Sequence, residues 1–369
     1  MNWEPDLLDD RKRLAEYDPS DMLRAVADSA AQVRTSHRAA MESGLSSLAR
    51  DGRPRAVVVA GVGASGIAGD ILNVVCGHGA PLPIVTVRSY RLPGWIGATD
   101  LVIAVSRSGR TEETLTVAAE AVRRGCRLLA VGAPDSPLHA IARQAGAPFV
   151  PVTDGGRPRA EVWALSVPLV VAAAELGLVE EADEQVFEGV AKRLEDLAHR
   201  CRPTSESFIN PGKSLAMEIA ETVPMIWGSS PVAAVAAHWW ACQLNTNGKY
   251  PAMWGELPEV DHNQVVALDG PLAHRDIFAD ESGRSLRLFV LRDVEEHPRV
   301  VRHREASVRL AESRGVPVTQ IVAEGEHPLE RLAALIALGD FASTYLALGY
   351  GIDPTPVSAI TEVKARISQ

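Results

Sequence analysis

A chain of 369 residues, 46% hydrophobic and 23% charged, is long enough for two globular domains and is not composed like a disordered or fibrous protein. Its 37 basic and 47 acidic residues leave a net charge of −10, which excludes a general nucleic-acid or anionic-membrane surface but not a local site for a small anion. Four scattered cysteines, Cys76, Cys126, Cys201 and Cys242, fit neither a disulfide framework nor a zinc site; with no apolar run read as reaching transmembrane length and an acidic start at Met1–Asp6, a cytoplasmic protein is expected.

Residues 1–50 read as an N-terminal helical segment, with apolar positions at helical spacing in Asp21–Val26, and Gly52 with Pro54 closing it. From Ala56 the pattern changes. Ala56–Gly61 (AVVVAG) is a continuous apolar run, followed by a glycine-rich turn and a helix from Ile67. Further runs at Ile84–Val87, Leu101–Val105, Leu128–Val131 and Phe149–Val152 alternate with helical stretches. Strands that are apolar throughout and separated by helices belong to a parallel sheet covered on both faces. A first α/β domain is therefore expected over 51–178, followed by a charged helical connector over 179–205. A second domain over 206–369 repeats the theme. It has an apolar run with a Gly-Ser turn at Pro224–Ser230, a helix over Val232–Leu244, strands at Leu286–Leu291 and Val316–Val322, helices near 299–313 and 328–347, and a C-terminal helix. The shared succession of strand, Gly-Ser turn and helix points to an α/β protein of two tandem doubly wound, flavodoxin-like domains.

Leu101–Val105 runs directly into Ser106-Arg107-Ser108-Gly109-Arg110-Thr111, and helix-forming Glu112–Leu115 follows. In parallel sheets, ligands bind at the carboxyl ends of strands, where a helix N-terminus offers unpaired N–H groups and the positive end of its dipole. Ser106, Ser108 and Thr111 add three hydroxyls there, and Gly109 lets backbone approach an oxyanion. The set reads as a phosphate cradle needing no metal; a single Ser or Thr in such a place would read as a helix cap. The other glycine loop, Gly61-Val62-Gly63-Ala64-Ser65-Gly66, matches the dinucleotide pattern G-x-G-x-x-G. No carboxylate for a ribose follows the second strand, which ends in Arg88-Ser89-Tyr90, so nucleotide binding is disfavoured; Arg88 leaves a form with a 2′-phosphate open.

Six ordered segments carry a resemblance: GVGASGIAGD (61–70), AVSRSGRTEETL (104–115), GRPRA (156–160), IWGSSPVAAVAAHWWACQLNTNGKYPA (226–252), LPEVDHNQVV (257–266) and DPTPVSAITEVK (353–364). In this order they resemble the bifunctional phosphoglucose/phosphomannose isomerases, tandem sugar-isomerase (SIS) domain enzymes, over about residues 55–366. The resemblance implies a hexose 6-phosphate substrate, no cofactor, and a homodimer whose site takes one histidine from the partner subunit. It assigns substrate and phosphate contacts to Gly63, Ser65, Ser106, Ser108 and Thr111, and stabilisation of the enediolate to Arg159. It also implies ring opening by His262, across the interface, and a place near the reacting carbons for Lys364. The residue types suit these roles, since a histidine near neutral pKa shuttles the ring proton and a guanidinium stabilises a developing oxyanion.

The chain departs from the family at one position. The family carries its base as a glutamate in an Asn-Glu-Asn step sixteen residues before the histidine; here the step is Asn245-Thr246-Asn247, with Thr246 sixteen before His262. A threonine hydroxyl cannot accept a carbon-bound proton near pH 7, and losing a positioned base costs about 10² to 10⁴ in rate. Glu256, Glu259 and Asp261 are the nearby carboxylates for the role, Glu259 foremost, although the family has a glutamate there as well. Changed chemistry on another sugar phosphate is a second expectation. A non-catalytic phosphosugar sensor or regulatory partner subunit is the third.

Overall fold

The alternation of apolar strand and helix expected from Ala56 onward is present in both halves of the chain. The computed structural model describes residues 2–50, 52–152, 158–179, 182–273 and 284–367. Three short helices come first: α1 (Arg11–Tyr17), α2 (Met22–Ala27) and α3 (Ser29–Glu42). Strands β1 (Val57–Ala60), β2 (Ile84–Val87), β3 (Leu101–Ser106), β4 (Arg127–Gly132) and β5 (Phe149–Pro151) follow, with helices α4 (Ala64–Cys76), α5 (Glu112–Arg123) and α6 (Pro137–Gln144) between them and α7 (Val162–Glu175) after β5. Helices α8 (Glu184–Arg200) and α9 (Pro211–Ile219) lead to the second set. This comprises β6 (Thr222–Gly228), α10 (Pro231–Thr246), β7 (Met253–Glu256), β8 (Ser285–Arg292), α11 (Pro298–Ser313) and β9 (Val318–Val322), and then α12 (Pro328–Gly349) and α13 (Ser358–Ile367).

Both sheets are parallel throughout. The first has the order β2-β1-β3-β4-β5 and the second β7-β6-β8-β9, so the second repeats the first four positions of the doubly wound order. The expected α/β architecture of two flavodoxin-like sheets is thus observed. Strands β1 and β3 are buried at every residue, as central strands with helices on both faces must be. In the first sheet Val58, Ala60, Val102, Ala104 and Ala130 share a core with Val117 and Ala121 of α5 and Leu138 of α6. In the second, Met225, Trp227, Leu288 and Val290 share one with Val308 and Ala311 of α11.

Strand β7 has no apolar run to announce it. It is a four-residue edge strand containing Gly255, with Met253, Trp254 and Glu256 exposed. Its shortness also accommodates Pro224 within β6: pairing with β7 starts only at Met225, so β6 is paired on one side at the proline.

The chain divides into two compact units. One is Asp28–Glu195 with Glu326–Glu330, around the first sheet; the other is Met1–Ala27, Asp196–Gly325 and Arg331–Gln369, around the second. The N-terminal helical stretch 1–50 is shared between them, as is the connector 179–205. Helix α3 is tied into the first unit by Arg34, whose guanidinium donates to both oxygens of Glu188 at 2.8 Å, and by Gln32, which donates to the Ala160 carbonyl at 2.7 Å. The residues before α3 are held in the second unit. Leu7 and Leu8 are buried, Trp3 packs edge-on against Tyr350, and Asp9 pairs with the buried Lys213 at 3.0 Å.

Helix α12 corrects the expectation that no run reaches transmembrane length. It is 22 residues long with a window of mean hydropathy 1.6, long and apolar enough to cross a bilayer, but 94% of that window is buried inside the protein. Arg331 and Asp340 are among its buried residues, which marks it as a core helix.

Candidate functional site

In the order β2-β1-β3-β4-β5 the chain reverses direction of travel between β1 and β3, and the crevice at their carboxyl ends is the topological switch point. Both glycine-bearing loops singled out in the sequence are there. After β1, Gly63 caps α4 at φ +59°, a left-handed conformation that favours glycine. A Cβ on Gly61 would lie 2.7 Å from the Ser65 carbonyl, and one on Gly66 would lie 2.8 Å from the Gly61 carbonyl. The G-x-G-x-x-G spacing is therefore accounted for by the close approach of strand and helix. Ser65 is buried in the first turn of α4. Arg88, the residue that left a nucleotide 2′-phosphate open, is ion-paired with Asp70 of α4.

After β3 the loop curls on itself. The Gly109 N–H donates to the Ser106 carbonyl at 2.8 Å, and Gly109 has φ +63° with a hypothetical Cβ only 2.0 Å from Ser136 Oγ. Ser106 Oγ and Thr111 Oγ1 are 2.9 Å apart, and the Thr111 N–H points to Ser106 Oγ at 3.4 Å. Ser108 Oγ accepts from the Arg110 N–H at 3.3 Å. Thr111 occupies the cap position of α5 yet its side chain caps nothing. Its hydroxyl is engaged with Ser106 instead, so helix capping does not explain these residues, and the backbone N–H groups of the first turn stay available.

Arg107 of this loop has a partner that nothing in the sequence marks, Glu161. Arg107 Nε donates to Glu161 Oε2 at 2.6 Å and its terminal nitrogen to Oε1 at 3.2 Å, a two-point pair with a carboxylate only 3% exposed. Glu161 follows by two residues Arg159, which lies half-buried in the 3₁₀ turn Pro158–Ala160. The pair fastens the segment bearing Arg159 beside the loop of Ser106 and Thr111. Residues 156–157 of the GRPRA segment lie outside the described residues.

The remaining candidates are in the second unit, and they separate. Helix α10 follows β6 and returns antiparallel to it, so its last residue, Thr246, lies toward the amino edge of the sheet. The 3₁₀ turn Glu259–His262 follows the carboxyl end of β7, where the Leu257 N–H bonds the Gly228 carbonyl at 2.9 Å. Sixteen helical residues at about 1.5 Å each put about 24 Å between the two edges. Thr246 is thus brought together with the Asp353–Pro354 segment, through Lys249, which donates to both carbonyls at 3.1 and 2.7 Å. It is not brought together with His262 or Glu259 of the same chain. Lys364 is exposed on α13, a helix with no buried residue.

The Thr246 hydroxyl donates to the Cys242 carbonyl at 2.7 Å, one turn back in its own helix. The neighbouring Gln243 donates to Asp340 Oδ1 at 2.7 Å, which also accepts from Trp239 Nε1 at 2.7 Å. Burial pushes the Asp340 carboxyl up to about 7, against the lowering effect of those two donors. Of the carboxylates considered as substitute bases, Asp261 is engaged by Ser307 Oγ and His303 Nδ1, each at 2.7 Å. Glu259 is exposed and accepts from Asn263 at 3.1 Å, and Glu256 is exposed at the end of β7. Among the described residues no group of three His, Cys, Asp or Glu side chains is placed to hold a metal ion.

Parallel doubly wound sheets in tandem, with hydroxyl-rich loops at the first switch point, define the chain as a SIS-domain protein. Residues 208–367 match the family described as bacterial phospho-glucose isomerase C-terminal SIS domain. The chain is 32% identical over 313 residues to a bifunctional phosphoglucose/phosphomannose isomerase of Caldicellulosiruptor bescii, covering 85% of this chain and 89% of that protein. It is 30% identical over 324 residues to one of Aquifex aeolicus, covering 87% and 93%. A hypothetical protein of Thermus thermophilus shares the fold with a TM-score of 0.71 at 15% identity, over 97% of this chain and 93% of that one. The chain belongs to the bifunctional phosphoglucose/phosphomannose isomerase family.

Proposed function

We propose that the protein binds a hexose 6-phosphate at the switch point of the first unit, with the phosphate held by Ser106, Ser108, Thr111 and the first turn of α5, and Ser65 and Gly63 lining the sugar side. The observation that carries this reading is the Ser106–Thr111 hydroxyl pair, 2.9 Å apart at the end of a buried strand and unused for capping. Arg159, fastened nearby through Arg107 and Glu161, is the group for a developing enediolate oxygen. The reading needs no metal or nucleotide cofactor, and it places the protein in the cytoplasm.

The reaction is of the aldose–ketose type, glucose or mannose 6-phosphate to fructose 6-phosphate. His262 opens the ring, and a proton moves between C1 and C2 near Lys364. The separation of Thr246 from His262 within one chain supports a homodimer in which the histidine comes from the partner subunit. With threonine where relatives carry the base, catalysis is impaired or altered. A coupled assay of fructose 6-phosphate conversion, run on the wild type beside Thr246→Glu, tests this. The expected result is a wild-type rate lower by about 10² to 10⁴ and recovered in the variant. Ordinary turnover in the wild type refutes it.

A second reading is a non-catalytic phosphosugar sensor or regulatory subunit. It is favoured by the Thr246 hydroxyl, which is spent on its own helix rather than directed at a ligand. Binding of the phosphosugar with no turnover in either form is its signature. For both readings, unchanged calorimetric binding of a 6-phosphosugar in Ser108→Ala/Thr111→Ala refutes the placement of the cradle.

A further inference from the structure

The second sheet has a switch point of its own, between β6 and β8, and it is built differently. The two units match element for element there. From the last residue of β3 to the cap of α5 there are six residues, Ser106 to Thr111; from the last residue of β8 to the cap of α11 there are also six, Arg292 to His297. Ser-Arg-Ser-Gly-Arg-Thr has become Arg-Asp-Val-Glu-Glu-His. The three hydroxyl positions are now Arg292, Val294 and His297, and carboxylates stand where the first loop has Arg107, Gly109 and Arg110. On the other side of the crevice the equivalent of Gly61–Gly63 is Gly228-Ser229-Ser230, and both serines are buried.

Asp293 fills this crevice. Its carboxylate is 4% exposed, accepts from Ser230 Oγ at 3.0 Å and from the Val294 N–H at 2.8 Å, and lies 2.7 Å from Nε of Arg331. The Arg331 Nε–H is not aimed along that line, so the contact is an ion pair rather than a well-directed hydrogen bond. Its guanidinium, 1% exposed, also reaches Glu295 at 2.9 Å. The Asp293 N–H points to Ser229 Oγ at 3.4 Å, and Glu296 is held by Arg304 at 3.0 and 3.1 Å. Serine hydroxyl, backbone N–H and a buried guanidinium converging on one oxyanion are the donor set that a bound phosphate would take.

We infer that Asp293 is a built-in anion standing in for a phosphate at the second switch point, so that the duplicated site is closed by the chain's own carboxylate and one phosphosugar binds per chain, in the first unit. The count of one ligand rests on the function proposed above; the internal anion does not.

The test starts from a parent silenced in the first loop, Ser106→Ala/Thr111→Ala, and uses inorganic phosphate as the probe, against chloride at matched ionic strength. The parent is expected to show no phosphate-specific rise in Tm, and adding Asp293→Ser to create phosphate affinity at least tenfold above it. A folded Asp293→Ser protein, checked by circular dichroism, that gains no phosphate affinity over its parent overturns the inference. If the serine variant does not fold, Asp293→Ala, which likewise empties the position, is read in the same way. Calorimetry of the wild type with fructose 6-phosphate is independent of both: one site per chain is expected, and two overturn the inference. Absence of any fructose 6-phosphate binding refutes the proposed function, while the phosphate titrations still decide the role of Asp293.

Discussion

Asp340 offers a direct measurement of what burial costs at the heart of the second unit. It is enclosed in α12, and Trp239 and Gln243 both donate to one of its oxygens. Burial raises its pKa from 3.8 to about 7, so the folded chain holds this proton where the unfolded chain releases it. Below about pH 4 both states are protonated and the group does not bias folding. Between pH 4 and 7 the unfolded state ionises first and stability falls as pH rises; above 7 the folded state ionises too and the full penalty stands. A rise from 3.8 to about 7 corresponds to about 4 kcal/mol, taken as an upper figure. Asp340→Asn retains the acceptor oxygen and never ionises. The variant is expected to exceed the wild type by about 1 kcal/mol already at pH 4.5 and progressively more as pH rises, by up to about 4 kcal/mol at pH 8. Urea denaturation of both proteins at pH 4.5, 6, 7 and 8 gives the difference at each point. A difference that stays flat with pH, or a wild type that becomes the more stable partner above pH 7, refutes the reasoning.

Gly109→Ala must enter the left-handed region and place a methyl against Ser136, so it is expected to abolish phosphosugar binding by calorimetry while costing about 1–2 kcal/mol for the backbone alone. Glu161→Gln removes the charge that fixes Arg107; the expected outcome is weaker phosphosugar binding with an unchanged circular dichroism spectrum, and unchanged affinity refutes a positioning role. Lys213 donates to Asp9 and to the Pro203 and Ser205 carbonyls, with burial lowering its pKa despite the help of Asp9. Lys213→Met takes the donor from both carbonyls and leaves Asp9 only its bonds from Ser207, and is expected to destabilise the protein by about 2–4 kcal/mol in chemical denaturation.

The parts of the fold legible in the sequence were those whose apolar pattern is set by burial on two faces. Strands β1, β3, β4, β6 and β8 read as apolar runs because most of their residues are buried, whereas the edge strand β2, with one buried residue of four, is readable from its β-branched Ile-Val-Thr-Val alone. Strand β7 was illegible because an exposed edge strand of four residues imposes no pattern. Length and apolar content alone do not tell a core helix from a spanning one, so α12 could be classed only by what surrounds it. At the site, the hydroxyls of the β3 loop were readable because their chemistry is local. The Arg107–Glu161 pair joins residues 54 apart in sequence, and the Gln243–Asp340 bond residues 97 apart, so neither leaves a local signature. The edge-to-edge separation of Thr246 and His262 follows from topology, which a count of sixteen residues between them conceals.

Under the proposed function Thr246 stands where relatives carry the base, and the scaffold around it does not depend on that residue. Thr246 is the last residue of α10, and its hydroxyl bonds the carbonyl one turn back. The anchors that place this helix end belong to its neighbours: Gln243 to Asp340 at 2.7 Å and Asn247 to Ser343 at 3.2 Å. A change between glutamate and threonine therefore leaves those anchors in place. Restoring the carboxylate forfeits one local hydrogen bond, about 0.5–1.5 kcal/mol, and adds an acid at a helix C-terminus, about 0.3–1 kcal/mol. Both are small against the stability of a domain and unrelated to the 10² to 10⁴ in rate that a positioned base supplies, roughly 3–5 kcal/mol of barrier. Thr246→Glu is thus expected to fold with a Tm within a few degrees of the wild type, which lets its turnover be read as chemistry rather than as rescue of structure.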